Sequence, residues 1–119
     1  MATYEVTDFV SFKTVIKNAV SGDVINVSGN VIQGTGETIA TDKALTLNVA
    51  NNVKLENLKI DGENITWEIA EYGKVTLDGD CRVTAKTFNG NYSNVELNIA
   101  SVKETNITYI NLRDRKSVV

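Results

Sequence analysis

LTLNVANNVKLENLKIDGENITWEIAEYGKVTLDGD, residues 45–80, decides the fold. Leu45, Leu47 and Val49 alternate with Thr46 and Asn48, and Ile65, Trp67 and Ile69 alternate with Thr66 and Glu68. Val75 and Leu77 continue the period of two, the pattern of a short strand with one apolar and one polar face. The gaps hold Asn51-Asn52, Asp61-Gly62 and Asp78-Gly79, residue types that favour turns. Outside this stretch, Val24 to Val27, Cys81-Arg82-Val83 and Val95 to Ile99 read the same way, with Asn89-Gly90-Asn91 as another turn. Valine (15), isoleucine (10) and threonine (13) make up about a third of the 119 residues, as a strand-rich chain requires.

The strands recur at a spacing of 20. Ile25 falls on Leu45, Ile65 and Ala85; Val27 falls on Leu47, Trp67, Thr87 and Ile107. Val49 falls on Ile69, Leu55 on Val75 and Val95, and Leu77 on Leu97. A fixed period of short strands and polar turns predicts stacked repeats in which no single repeat buries its face alone. The expectation is an all-β parallel β-solenoid of about 20 residues per coil and four to five coils, whose handedness the sequence leaves open although the general rule for parallel strands favours right-handed crossings. It fills one domain over 1–119: a capping helix at about 9–20, coils at about 24–112 and a charged tail at 113–119. An antiparallel sandwich is the alternative, because its strands also recur at short intervals.

The helix lies in TDFVSFKTVIKNAVSGDVINVSG, residues 7–29. Phe9, Phe12, Ile16 and Ala19 share one helical face, with Val15 and Val20 alongside. Thr7 or Asp8 can cap its start, and Gly22 stands at a plausible stop. This helix followed by Ser21-Gly22-Asp23-Val24-Ile25-Asn26-Val27 resembles the start of right-handed parallel β-helix proteins of the pectate-lyase-like superfamily. That resemblance implies a helix covering the open end of the solenoid and by itself implies no activity. At the other end, Arg113 to Lys116 carry a net charge of +2 as an edge defence, and Val118-Val119 leave dimerisation open.

Composition removes several chemistries. There is no histidine, so no Ser-His-Asp triad, Cys-His pair or imidazole metal site. One cysteine, Cys81, forms no internal disulfide; its alternation with Val83 makes it a buried thiol rather than a nucleophile. Gly34 to Glu37 lacks the following helix and lysine of a phosphate loop. Met1 is followed by no secretion signal and no run reaches membrane-spanning length, so the expected location is the cytoplasm, that of the host cell if the chain is phage-encoded. In that setting the Asn-x-Ser/Thr matches at Asn26, Asn64, Asn91 and Asn106 are chance.

Two features stand as candidate sites. Between Glu56 and Asp80 lie seven acids and two lysines, a net charge of −5, against −3 for the whole chain. Asp61, Glu63, Glu68, Asp78 and Asp80 can engage a basic surface, including one that normally holds nucleic acid. The same carboxylates can be turn residues, or can share a proton or hold Ca²⁺ with Arg82 nearby. Tyr72 and Tyr92, 20 apart and both in turns, can stack along one edge as a binding strip; Trp67 reads as core.

The reading that results is a non-catalytic interaction protein with no cofactor, no metal and no direct contact with nucleic acid. In size, charge and expected architecture the chain resembles phage-encoded anti-CRISPR inhibitors. That likeness implies a Cas9-type effector with its guide RNA as partner, obstructed in reading the DNA motif beside its target. The alternative is a carbohydrate-binding or polysaccharide-degrading β-helix, such as a phage tail module.

Overall fold

The computed structural model describes residues 2–99 and 106–111. In chain order the elements are β1 (Thr3–Val6), α1 (Phe9–Asn18), β2 (Val24–Val27), β3 (Val31–Ile32), β4 (Ile39–Ala40), β5 (Thr46–Val49) and β6 (Val53–Glu56). Then follow β7 (Lys59–Ile69), β8 (Lys74–Gly79), β9 (Arg82–Asn89), β10 (Asn94–Ile99) and β11 (Asn106–Asn111). The larger sheet has the order β1-β2-β5-β7-β9-β11, with β4 also paired to β7, and the smaller one has the order β3-β6-β8-β10.

This arrangement corrects the expected fold class. In place of an all-β solenoid with a uniform coil of about 20 residues, the strands form two separate parallel sheets, and with one helix among the described residues this is a small α/β-like fold. The spacing between partners is not fixed: Thr46 pairs with Thr66, 20 residues on, but Lys59 pairs with Arg82, 23 on, and Val31 with Leu55, 24 on. Two insertions cause this. The segment carrying β4 lengthens one crossing, and β7 shifts register against β9 between Gly62 and Thr66. Ile25 therefore lies beside Leu47 rather than Leu45, and Trp67 beside Phe88 rather than Thr87. The sandwich alternative also fails, since every pairing among the described strands is parallel. The tail 113–119, with Val118-Val119, lies outside the described residues.

The helix forms where the apolar spacing places it. Asp8 is the N-cap: Ser11 N donates to Asp8 Oδ1 at 2.8 Å, and Asp8 N donates back to Ser11 Oγ at 3.2 Å. It ends at Asn18, short of the expected helix end at about 20, as Ala19 turns extended while its N–H still donates to Val15 O at 2.8 Å. Phe12, Ile16 and Ala19 are buried, Phe9 is half-buried, and Val10 and Val20 face out.

One apolar cluster fills the interior. The larger sheet sends in Ile25, Leu47, Trp67 and Phe88, the smaller one Val31, Leu55 and Leu77, and α1 sends Phe12 and Ile16. At its centre Trp67 stacks on Phe88 (centroids 5.3 Å apart, planes at 14°) and on Phe12 (6.2 Å, 23°). Trp67 thus ties the helix to the neighbouring strand. The buried carboxylate of Asp23 performs a similar tie at the chain start: Ala2 N donates to one oxygen at 2.8 Å and Val20 N to the other at 2.9 Å.

Two outcomes are expected. Trp67→Ala removes a fully buried ring from between two others and should cost about 3–5 kcal/mol by urea unfolding. The N–H groups of Val20 and Ala2 hold the Asp23 carboxyl below the usual carboxylate range. A depressed folded pKa gives stability that is complete above the unfolded value and is lost as pH falls through the folded one. Asp23→Asn should therefore lower the urea midpoint at neutral pH and flatten its fall on acidification.

Candidate functional site

The acidic residues do not converge. Asp61 and Glu63, in the first half of β7, are exposed and edge a cavity of about 720 Å³ between α1 and the β4 segment. Its other walls include Lys13, Lys17, Lys43 and Glu37. Lys13 Nζ donates to Glu37 Oε1 at 2.7 Å and holds that carboxyl below its ordinary range. Lys43 Nζ donates to the Ile16 and Lys17 carbonyls at 3.0 and 2.9 Å, placing a cation at the negative end of α1. Asp61 and Glu63 have no cation within ion-pair distance among the described residues.

Asp78 and Asp80 sit elsewhere, at the end of β8. Lys54 Nζ lies 3.9 Å from Asp78, while Lys59 Nζ and Arg82 Nε lie 3.7 and 3.3 Å from Asp80. Their backbone is the turn that Asp-Gly chemistry implies. Gly79 has φ +71°, and Asp80 N donates to Asn57 Oδ1 at 2.7 Å. A side chain on Gly79 would meet that same Asn57 oxygen, so the position requires glycine. Among the described residues no three Asp, Glu, Cys or His side chains are grouped to hold a metal ion.

Glu68 belongs to a third feature, which the sequence reading missed. On the outer face of the larger sheet, Glu5, Asn26, Asn48, Glu68 and Asn89 stand in register across five strands. Asn48 Nδ2 donates to Asn26 Oδ1 (3.1 Å), Asn26 Nδ2 to Glu5 Oε2 (2.7 Å) and Asn89 Nδ2 to Glu68 Oε2 (2.9 Å). The signal was an Asn or Glu at the same outward position of each strand, hidden by the shifting register. Gln33 was missed as well. It is buried, its Nε2 donates to the Glu37 and Thr35 carbonyls at 2.6 and 3.1 Å, and its Oε1 accepts from Lys59 N at 2.9 Å. The Gly34 to Glu37 segment is thus a loop wrapped on a buried amide.

Tyr72 and Tyr92 do come together. Their ring centroids are 5.2 Å apart with planes at 8°, and both remain open to solvent, 72% and 47% exposed. Each is the third residue after a strand of the larger sheet and has left-handed backbone, φ +59° and +55°. Asn52 occupies the same place after β5 with φ +66°.

Cys81 is buried, and its Sγ donates to the Leu55 and Asp78 carbonyls at 3.0 and 3.1 Å. Burial pushes the thiol above its usual range. No protein-family model matches the chain, and no curated protein or solved structure matches it either. Among the described residues no helix is long and apolar enough to cross a membrane.

The thiol gives a direct check on this geometry. At mildly alkaline pH, native Cys81 should react with a disulfide reagent at least about 100-fold more slowly than in urea-unfolded chain, as followed by thiolate release.

Proposed function

We propose that the protein is a non-catalytic interaction protein that docks on the basic, nucleic-acid-binding surface of a protein partner. The observation that carries this reading is the pair Asp61 and Glu63, exposed on one strand and with no cation at ion-pair distance among the described residues. Exposed carboxylates that hold no ion pair of their own can exchange water for a cation on a basic surface without first breaking a pair, and they steer its approach. Asp78 and Asp80 extend the acidic character, though their paired lysines and arginine must be displaced or shared. In its specific form, supported by the likeness in size and charge to phage-encoded anti-CRISPR inhibitors, the partner is a Cas9-type effector with its guide RNA. Binding then obstructs the effector's reading of the DNA motif beside its target, in the cytoplasm of the host cell.

A carbohydrate reading has one observation in its favour. Asn26, Asn48 and Glu68 of the row line a shallow trench of about 380 Å³ together with the strand ends that follow them. A glycan array separates the two readings, since a sugar hit along that row favours the second.

The variant Asp61→Lys, Glu63→Lys, Asp78→Lys, Asp80→Lys tests the first. It should keep the circular dichroism spectrum of the parent, lose at least about 10-fold in affinity for a purified Cas9–guide complex and restore target cleavage. Unchanged affinity in this variant would sink the assignment.

A further inference from the structure

The Tyr72–Tyr92 pair presents an energetic imbalance. Left-handed backbone is cheap for glycine and asparagine but costs a bulky side chain about 1–2 kcal/mol. The chain accepts this twice, at φ +59° and +55°, although Asn52 fills the equivalent turn one strand earlier. Ring stacking returns about 0.5–1.5 kcal/mol for the pair, which does not offset both residues. Folding alone therefore gives little reason for two tyrosines in these turns, and their exposure gives less.

The geometry defines what the pair offers. Tyr92 covers one face of Tyr72, in near-parallel stacking. On the side of the preceding turn stands Asn52 instead of a third ring, and Tyr72 is 72% exposed. Glu71, the adjoining residue, is exposed and has no cation at ion-pair distance among the described residues. An open aromatic face carries negative charge density, and a carboxylate beside it adds more. The complementary group is a flat cation that can stack on the ring while hydrogen-bonding the carboxylate, which describes a guanidinium better than an ammonium.

We propose that Tyr72, backed by Tyr92 and flanked by Glu71, is the seat for an arginine side chain on the partner's basic surface. This rests on the reading of a basic protein partner and adds both the place of contact and the side chain recognised. It moves the centre of the interface from the carboxylates to the turn row, where aromatic anchors typically carry most binding energy.

The test uses the full chain and two peptides of equal charge, octa-arginine and octa-lysine, followed by NMR of the tyrosine ring signals. Octa-arginine should shift the Tyr72 and Tyr92 signals, with an apparent affinity at least about threefold above that of octa-lysine. The double variant Tyr72→Asn, Tyr92→Asn suits these turns, as Asn52 shows, so its melting temperature should equal or exceed the parent's. It should lose the preference for octa-arginine, and Glu71→Gln should weaken it. Equal response to both peptides, an arginine preference that survives the double variant, or ring shifts produced by a neutral oligosaccharide instead would each overturn the proposal. The fourfold lysine variant separates it from the broader reading. If that variant binds the effector normally and the tyrosine variant does not, the carboxylate assignment fails while the arginine seat stands; the reverse result removes the seat alone.

Discussion

Parallel pairing is the constraint from which the rest of the structure follows. Two parallel strands cannot be joined by a hairpin, so the chain must leave one strand, travel back and return at the same end. Between β5 and β9 each return passes through a strand of the other sheet, β5 leading to β6, β6 to β7, β7 to β8 and β8 to β9, whereas β1 returns to β2 through α1. Crossings that most parallel proteins assign to helices are there made of strand, and α1, the one helix among the described residues, makes the first crossing, from β1 to β2. The two sheets share one apolar interior because each sends alternate residues inward, and Trp67 stacks between Phe12 and Phe88 within it. Because nearly all of these contacts join residues some twenty apart or more, little of the core can form locally, and folding should be slow for a chain of this size.

The sequence carried some of this plainly. The helix was legible because Phe12, Ile16 and Ala19 recur at helical spacing and Asp8 caps them; all three are buried. The strands at 24–27, 45–49, 65–69 and 95–99 were legible through strict alternation. Register was not. A slip of two residues leaves every side chain on its original face, so alternation cannot distinguish Ile25 beside Leu45 from Ile25 beside Leu47. The slip of one at Phe88 was hidden differently: Thr87 and Phe88 are both buried, so alternation itself fails there, next to the register shift in β7. The first strand, Thr3–Val6, has one buried residue in four and gave almost no pattern. The uniform period that suggested identical coils averaged over these shifts, which is why it indicated the wrong architecture.

The candidate surfaces show the same division. Tyr72 and Tyr92 were legible as a stack because the spacing across their turns is still 20. The acidic middle, continuous in sequence, is divided in space. Asp61 and Glu63 edge a cavity beside the helix, Asp78 and Asp80 sit in a lysine- and arginine-buffered turn, and Glu68 is spent on an amide. A charge run therefore overstates what any one partner would meet. The face that concentrates unusual chemistry is the turn row, where backbone strain and exposed aromatic area coincide.

The side-chain ladder across the larger sheet has a direction. A carboxylate accepts hydrogen bonds and donates none, so Glu5 and Glu68 each end a run of amides whose N–H groups all point the same way along the sheet. Without those terminators an asparagine amide could turn over and leave the row non-polar in sense. With them, the Nδ2 donors of Asn26, Asn48 and Asn89 all point toward the β1 edge of the sheet. The row therefore has a fixed sense across the strands, set by two carboxylates that have no donor to offer in reverse.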